Sequence, residues 1–471
     1  MVQEKKRLSY SLIKSWLTKD SKINSNKDIL SWITKQNNQN NVLIKKKNIS
    51  TSNFWLYDKK YGGIRNKSNS FFSIRGININ SNNKYSNINY DQPIIIQNEI
   101  GFLGIICKKF EDTMYFLIQA KIEPGNINKI QLSPTIQATK SNFLQKHGGS
   151  KPLYLDFFIN HESYTVIVDQ IQSEQSSRFL KKRNRNVVLD IGQEEIEISE
   201  THKWMTLGQV KNLMEHANLV NMDTRSVVSC IPFSSYSLDK ETESMLKSES
   251  LNQELINSIY SSKISHNFNK IFSYISDYKM FNSYNYSFKD LYSLNNWSIK
   301  GNELVCDEDW PFKLIFCQIE INSREIQKWD QPLFEANQIS TFGLITFNDN
   351  GIKKFIVKAT PEIGCFDQIE LGPTVMLDNA TNKRNLNSIE NLFNTKLIKK
   401  NGIIFNGLLS EEGGRFYHEQ NNNVIIEIDK SEIPDLEKDY FCLSFSELNG
   451  LVQINNILNI QLRNLISLLK I

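Results

Sequence analysis

The sequence has few of the features that mark metal sites, disulfide scaffolds or membrane spans. Its 471 residues hold six cysteines, none of them in a CxxC pair, and no Cys/His group has zinc-ligand spacing. No apolar run approaches the roughly 18 residues that cross a bilayer, and the first residues lack the long apolar stretch of a signal peptide. We therefore expect a cytoplasmic protein with reduced cysteines and no membrane partner.

An excess of one charge is also missing. The 55 Lys and Arg residues nearly balance the 51 Asp and Glu residues, which leaves a net charge of +4 and argues against a general polyanion binder. No Gly-rich dinucleotide fingerprint follows a strand, and there is no phosphate loop. The glutamate-rich metal-binding box of the Nudix hydrolases is absent as well. The sequence thus predicts no NAD, no other cofactor, no catalytic metal ion and no nucleic-acid partner.

An internal repeat is the strongest signal that the sequence does contain. Residues 91–135 align without a gap to residues 330–374, at a constant offset of 239. Fifteen of the 45 aligned pairs are identical, where chance would give about three. The match continues to the end of the chain, so residues 91–230 and 330–468 are two copies of one unit. A fixed offset over so many positions excludes coincidental strand composition.

Local patterns predict strands followed by helices in each copy. Residues 114–122 and 128–138 alternate like strands around turn chemistry at 123–126. Thr206 and Gln209 form a helix-capping pattern that Ser444 and Glu447 repeat. The predicted fold class is α+β, a duplicated layered module. We divide the chain into an N-terminal helical arm (1–50), a first module (51–235), a connector (236–300) and a second module (301–471).

The two predicted strands carry polar side chains on one face. Gln119, Lys121 and Glu123 alternate along the first strand. If the strands pair, the residues of the second strand extend this face; they are Gln131, Ser133, Thr135 and Gln137. Glu123 has two interpretations, since a carboxylate at a strand end can act as a base or can only brace the turn. His147 and Tyr154, which follow the second strand, are alternative site residues.

A basic run after the second strand is the densest charged motif. It puts five cations within eight residues: Arg178, Lys181, Lys182, Arg183 and Arg185. Planar guanidinium groups suit the oxygens of a diphosphate. The alternative is a solvated basic face or a nucleic-acid patch. The aligned segment of the second copy keeps Arg415 but not the other cations, which favours a ligand bound by the first module.

At this point the sequence resembles the NDP-hexose 2,3-dehydratases. The motifs that carry the resemblance are Glu123-Pro-Gly-Asn126, Gln131-Leu-Ser-Pro-Thr-Ile-Gln-Ala-Thr139, Ser173-Glu-Gln, Lys182-Arg-Asn-Arg-Asn186, Val220-Asn-Met-Asp-Thr-Arg225 and Ser410-Glu-Glu-Gly-Gly-Arg-Phe416. The family implies a Nudix-like module used twice, a homodimer and a dTDP-linked 4-keto-6-deoxyhexose as substrate. Ile363, Met376 and Asp378 depart from the family pattern, so we expect the second module to be a degenerate copy and the first to hold the working site.

The resemblance also implies a reaction and a set of site residues. The enzyme would eliminate water across C2–C3 of the sugar, and the diketo product would pass to a 3-ketoreductase. The residues expected to be catalytic are Glu123, His147 and Tyr154. The residues expected to bind substrate are Gln119, Gln131, Thr135, Gln137, Ser173, Glu174, Arg178, Lys182, Arg183, Arg185, Asn186 and Arg225.

Two rival functions stay open from the sequence. One is a nucleotide-sugar hydrolase on the same fold, against which the missing metal box argues. The other is a non-catalytic module that binds a nucleotide or RNA through the basic run, which would show a steep salt dependence. Loss of one water from dTDP-4-keto-6-deoxyglucose would distinguish the dehydratase from both.

Overall fold

The structure is a computed structural model that describes residues 2–83, 86–139, 151–236, 238–260, 266–282, 285–323, 326–378 and 385–471. It is a mixed α/β protein in which a module with two sheets occurs twice, and this confirms the predicted duplication. None of the described helices is long and apolar enough to cross a membrane.

Up to residue 235, the helices and strands fall in the predicted N-terminal arm and first module. The arm holds helices α1 (Val2–Leu17) and α2 (Asn26–Gln39) and strand β1 (Val42–Lys46). The module's strands are β2 (Trp55–Asp58), β3 (Gly63–Asn66), β4 (Ser73–Asn83), β5 (Ser86–Ile96), β6 (Gly101–Phe110), β7 (Thr113–Ile122), β8 (Ile130–Ser133), β9 (Ile136–Ala138), β10 (Thr165–Ser173), β11 (Phe179–Leu180), β12 (Arg183–Asp190) and β13 (His202–Thr206). Its helices are α3 (Leu155–Ile159), α4 (Leu207–Leu213) and α5 (Met222–Ser229).

The connector and the second module repeat this order. The connector contains helices α6 (Lys240–Glu249), α7 (Gln253–Ile259) and α8 (His266–Phe281), strand β14 (Asn285–Lys289) and strand β15 (Trp297–Lys300). The later strands are β16 (Glu303–Cys306), β17 (Phe312–Ile321), β18 (Lys328–Ala336), β19 (Thr341–Asp349), β20 (Ile352–Pro361), β21 (Ile369–Gly372), β22 (Val375–Leu377), β23 (Ile403–Ser410), β24 (Phe416–Tyr417), β25 (Gln420–Ile428) and β26 (Tyr440–Ser444). The helices are α9 (Ser388–Ile398), α10 (Phe445–Leu451) and α11 (Ile460–Ser467).

Each module has a main sheet with the same strand order. In the first module the order is β10-β12-β6-β7-β13, with β8 paired to β7 and β9 paired to β6. In the second module the order is β23-β25-β19-β20-β26, with β21 paired to β20 and β22 paired to β19. The capping boxes predicted at Thr206 and Ser444 are confirmed, and each starts the helix that follows the last strand of its sheet.

The two smaller sheets exchange a strand. The first contains β11-β5-β4-β3-β2 and takes β14 from the connector, which pairs with β4. The second contains β24-β18-β17-β16-β15 and takes β1 from the N-terminal arm, which pairs with β17. Since β1 precedes the first module and β14 precedes the second, each module completes the small sheet of the other.

The second polar strand is broken, contrary to the prediction of one strand over 128–138. β8 ends at Ser133 and β9 begins at Ile136. Pro134 has no N–H to continue a ladder, and the Thr135 hydroxyl accepts a hydrogen bond from the Ile106 N–H at 2.9 Å and donates one to the Leu117 carbonyl. The chain therefore steps from β7 to β6, and Thr135 turns into the sheet.

Candidate functional site

A polar face on the β7–β8 hairpin forms the base of the site. Gln119 lies opposite Ser133 and Lys121 lies opposite Gln131, so the predicted pairing of the two strands is confirmed. Glu123 follows β7 and is buried. Its Oε1 accepts hydrogen bonds from Lys121 Nζ at 2.9 Å and from Gln137 Nε2 at 3.1 Å. Two donors on one oxygen favour the ionised form of the carboxyl group.

A second set of hydrogen bonds fixes Gln137. Its Oε1 accepts from Ser133 Oγ at 3.0 Å and from Asn221 Nδ2 at 3.4 Å. Asn221 is the N-cap of α5 and also bonds the Thr224 N–H, so the helix holds it in place. The amide of Gln137 is thereby oriented with its NH2 group toward Glu123.

A loop from the second module closes over this face. The Gly125 N–H donates to the Gly413 carbonyl at 2.6 Å, and the His418 N–H donates to the Gly125 carbonyl at 2.9 Å. Ser410 Oγ donates to Gln131 Oε1 at 3.0 Å. Gln131 is 1% exposed, and its Nε2 has no hydrogen-bond partner among the described residues. The first module alone therefore supplies only part of the site.

The closing loop brings a second carboxyl group next to Glu123. The Gly414 N–H donates to Glu412 Oε1 at 3.0 Å. A methyl group added at Gly414 would overlap Glu412 Oε1 and would lie 3.6 Å from Glu123 Oε1, so both carboxyl groups border the same point. Glu412 is half-buried, and its Oε2 has no partner among the described residues.

Burial and neighbouring charges raise the pKa values of two acids in this cluster. Burial and the neighbouring Glu123 raise the pKa of Glu412 to about 8. Burial, together with the carboxyl groups of Glu174, Glu412 and Glu123, raises the pKa of Asp223 well above its ordinary value. Burial and like charge thus favour the protonated forms of Glu412 and Asp223, whereas the hydrogen bonds to Glu123 favour a carboxylate, an arrangement in which acid and base roles can separate.

Two cations border the cluster. The Arg415 guanidinium lies 4.1 Å from the centre of the Phe72 ring, and Arg415 donates to Gln97 Oε1 at 3.3 Å. Lys182 donates to the Glu99 carbonyl, and burial lowers its pKa to about 8. We call the set Lys121, Glu123, Gln131, Gln137, Lys182, Asp223, Glu412 and Arg415 the cross-module site.

The same arrangement recurs on the second module, with different residues. Ser173 Oγ donates to Glu370 Oε2 at 2.6 Å, and Asn459 Nδ2 donates to Glu362 Oε1 at 3.3 Å. We call the set Ser173, Arg178, Glu362, Glu370 and Asn459 the mirror site. The Arg178 guanidinium lies 4.0 Å from the centre of the Phe312 ring, just as the Arg415 guanidinium lies against the Phe72 ring. Five polar residues at or beside the cross-module site have a different residue at the aligned position near the mirror site. With the cross-module residue first, the pairs are Lys121/Thr360, Ser133/Gly372, Gln137/Met376, Asp223/Gln461 and Glu412/Gln175.

The predicted site residues divide between these two places. Glu123, Gln131 and Gln137 meet in the cross-module site, Gln119 lies two residues from Lys121 on the same strand, and Lys182 joins them. Ser173 and Arg178 belong to the mirror site. The Arg183 guanidinium lies 3.7 Å from the Phe366 ring, next to the second module's turn. Glu174 accepts from Asn184 and influences both Asp223 and Glu412.

Other predicted residues have their polar groups occupied elsewhere. Arg225 is 1% exposed and donates to the carbonyls of Val220 and Ser410. Asn186 donates to the Asn184 carbonyl at 3.1 Å, and Arg185 forms an ion pair with Asp169 at 2.6 Å. The Thr135 hydroxyl is hydrogen-bonded to backbone groups of the sheet. The Tyr154 hydroxyl accepts a hydrogen bond from the Ser199 N–H at 2.8 Å. His147 lies outside the described residues.

Sequence reasoning did not select Glu412, Asp223 or Arg415 as residues of the working site. A usable signal was present, because the offset repeat shows Glu412 aligned with Gln175 and Asp223 with Gln461. The differences between the copies that we interpreted were those of the basic run and those at Ile363, Met376 and Asp378. Applied to every polar position, the comparison between copies selects the residues in which the cross-module site differs from the mirror site.

Comparison with known proteins agrees with this duplicated organisation. The family model described as NDP-hexose 2,3-dehydratase matches the chain twice, at residues 26–231 and 268–469. A Saccharopolyspora spinosa protein named dTDP-4-dehydro-6-deoxy-alpha-D-glucopyranose 2,3-dehydratase is 32% identical over 415 residues, 88% of this chain and 85% of that protein. Proteins with the same name are 31% identical over 417 residues in Streptomyces violaceoruber (88% of this chain, 90% of the relative) and 27% identical over 449 residues in Amycolatopsis orientalis (93% and 89%).

Proposed function

Because the chain belongs to the NDP-hexose 2,3-dehydratase family, we propose that it eliminates water across C2–C3 of dTDP-4-keto-6-deoxy-D-glucose at the cross-module site. The product is dTDP-3,4-diketo-2,6-dideoxyglucose, an intermediate of deoxysugar biosynthesis. The observation that carries the choice of site is Glu123, which is held by Lys121 and Gln137 at the meeting point of the two modules.

The substrate's own chemistry sets what the site must do. The C4 ketone acidifies the C3 proton, and removal of this proton places enolate charge on the C4 oxygen. The ketone re-forms as the C2–O bond breaks, and the C2 oxygen leaves as water after it gains a proton. The remaining enol moves a proton from its C3 oxygen to C2 and becomes the 3,4-diketone. The oxidation at C3 is internal, so the reaction needs a base, an acid and an enolate stabiliser.

The residues of the cross-module site match these needs. Glu123, ionised by its two donors, is the proposed base at C3. The amide NH2 group of Gln131, buried without a described partner, is the proposed donor to the enolate oxygen. Arg415 and Lys182 supply positive charge for the diphosphate. The mirror site carries Glu370 where the cross-module site has Gln131, and a second acid suits an anionic ligand less well.

A single assay tests the proposed function. The protein is incubated with dTDP-4-keto-6-deoxyglucose, and the product is trapped with an aromatic 1,2-diamine, which condenses with vicinal diketones. Mass spectrometry should show loss of one water and the trapped adduct. Release of a sugar phosphate would instead indicate a hydrolase, and an unchanged substrate would contradict the proposal.

Four further properties belong to the same proposal. We propose that each module has a Nudix-like fold, that the cytoplasmic enzyme acts as a homodimer, that it needs neither a metal ion nor a redox cofactor, and that a 3-ketoreductase consumes its product. The chemistry above breaks the C2–O bond with the help of a base, an acid and an enolate stabiliser, and side chains can supply all three, which supports independence from metals. Exhaustive EDTA treatment should leave turnover intact, and recovery that depends on added Mg²⁺ or Mn²⁺ would overturn this point. Sedimentation analysis tests the dimer.

A further inference from the structure

The proposed function assigns a residue to the base at C3 but none to the acid at C2. The C2 hydroxyl is a poor leaving group, so the elimination needs an acid near C2 in addition to the base near C3. In a 2,3-elimination the two reacting centres are adjacent carbons, and the acid and the base must therefore border one small volume. Glu412 and Glu123 are close enough for these two roles, because a Cβ atom at Gly414 would lie 2.3 Å from Glu412 Oε1 and 3.6 Å from Glu123 Oε1.

We infer that Glu412, supplied by the second module, is the general acid that protonates the departing C2 oxygen, an inference that rests on the proposed function. In this step the C2–O bond breaks with its electron pair on oxygen, and the Glu412 proton joins that oxygen to release water. Glu123 has meanwhile taken the C3 proton. Proton return through solvent restores both groups before the next turnover.

The contacts of the two carboxyl groups support this division of roles. Glu123 accepts from a lysine and an amide, which stabilise a carboxylate. Glu412 accepts one backbone N–H at Oε1, while its buried Oε2 has no described partner and is available to carry a proton. Burial and the charge of Glu123 raise the pKa of Glu412 to about 8, so the proton is present at neutral pH.

Charged groups that favour and that oppose ionisation surround Glu412, and the buried Lys182 is one that favours it. Arg415 and Lys121 favour its ionised form, whereas Glu123 and Glu174 favour its protonated form, as burial does. Asp223 is a second acid with a raised pKa nearby, but Glu412 is the one whose Oε1 borders the same point as Glu123 Oε1. This position next to the proposed base favours Glu412 over Asp223 as the acid.

The repeat provides a test variant that the fold accepts. Gln175 occupies the position of Glu412 in the equivalent loop of the first module, so Glu412→Gln reproduces a side chain that the same loop already holds. The matched control is Glu370→Gln in the mirror site, which reproduces Gln131. Both variants should keep the wild-type circular dichroism spectrum.

Two readouts separate an acid from a structural residue. With dTDP-4-keto-6-deoxyglucose, Glu412→Gln should lose at least ~10²-fold in the rate of water loss, while exchange of the C3 proton with deuterated solvent persists within a few-fold of wild type. With the 2-fluoro analogue of the substrate, fluoride leaves without protonation, so Glu412→Gln should eliminate it at close to the wild-type rate. Glu370→Gln should match wild type with both substrates.

The outcomes also separate this inference from the proposed function. If wild type shows no water loss, the proposed function fails. If wild type is active and Glu412→Gln dehydrates the natural substrate at a similar rate, Glu412 is not the acid. Loss of C3 exchange together with elimination, or a failure of the 2-fluoro analogue to restore the rate, would likewise overturn the assignment.

Discussion

At the scale of single residues, substitution of Glu123 tests whether the polar face of the β7–β8 hairpin is catalytic. Glu123→Gln removes the proposed base, so we expect at least ~10²-fold losses of both C3 deuterium exchange and water loss, with little change in melting temperature. The rival role, bracing the turn, draws on Glu362, which occupies the same place in the mirror site. A variant with near-normal turnover but a stability loss of about 1 kcal/mol would favour that rival.

Substitutions of Arg415 and Arg183 should differ in their effect on the KM for the sugar nucleotide. Arg415 borders Glu123 and Glu412, whereas Arg183 lies against Phe366 in the second module's turn. Arg415→Lys keeps the charge but loses the planar fork that suits a diphosphate, and it should raise KM for the sugar nucleotide by about 10-fold, with Arg183→Ala as the control at less than about 3-fold. Steady-state kinetics of both variants measure this difference. A larger effect of Arg183→Ala on KM would indicate that the basic run, and not Arg415, binds the diphosphate.

The buried acid of the mirror site should make stability depend on pH. Burial raises the pKa of Glu370 to about 8, so the folded chain holds a proton that the unfolded chain releases above its ordinary pKa of about 4.3. Stability is therefore lost as pH rises through this window. Each pKa unit of this shift is worth about 1.4 kcal/mol, so Glu370→Gln should be more stable than wild type by on the order of 5 kcal/mol at pH 8 and equal to it at pH 4. Denaturant unfolding at both pH values measures this, and an equal difference at the two values would contradict it.

At the scale of elements, the turn after β7 is a close contact between the two modules. A methyl group at Gly125 would overlap the carbonyl oxygen of Phe416, which is backbone and cannot rotate away. Gly125→Ala should therefore cost about 3 kcal/mol of stability and lower activity with it. Gly450→Ala in α10, where the nearest atom lies 3.4 Å away, is the matched control and should not destabilise the fold. Equal melting temperatures for the two variants would show that the turn does not hold the modules together.

The sequence predicted elements well where their signals are local. The β7–β8 pairing follows from alternation around a Pro-Gly turn, and the caps at Thr206 and Ser444 follow from short spacings. The break at Pro134 was missed because the alternation of polar residues runs through it, although a missing N–H is itself a local signal. Alternation alone does not distinguish one strand from two that pair with different neighbours.

The cross-module contacts have no such local signal. Gly125 and Gly413 lie far apart in sequence, and nothing in the spacing of either turn indicates that they share a hydrogen bond. For the same reason the whole basic run was expected to bind the ligand of the first module, whereas Arg178 lies in the mirror site. Arg415 takes the equivalent position near Glu123 because the corresponding loops of the two modules are reciprocal.

At the scale of the whole molecule, the duplication forms one folding unit. β1 completes the small sheet of the second module, and β14 completes that of the first. Helices α5 and α11 pack against each other between the modules, where Arg463 donates to Ser226 Oγ at 2.6 Å. One buried apolar cluster runs through both main sheets. Each module therefore lacks a sheet strand and half of its site without the other.

This interdependence predicts the behaviour of a divided chain. A break at Leu251, which is 87% exposed between α6 and α7, gives fragments 1–250 and 251–471 without cutting a described helix or strand. The first fragment lacks β14 and the loop that carries Glu412, and the second lacks β1 and the face that carries Glu123. Each fragment alone leaves a sheet edge and much apolar surface open, so we expect it to be insoluble or unfolded.

Expressed together, the two fragments should form a complex with the dehydratase activity of the intact chain, because the exchanged strands and the α5–α11 contact do not depend on the peptide bond at Leu251. Co-purification through a tag on one fragment and the water-loss assay measure this. The control adds Glu412→Gln to the second fragment, which should leave the complex intact and abolish water loss, placing the acid and the base on different polypeptides. A first fragment that folds and dehydrates the substrate alone would show that the second module is dispensable, and the cross-module site would then be wrong.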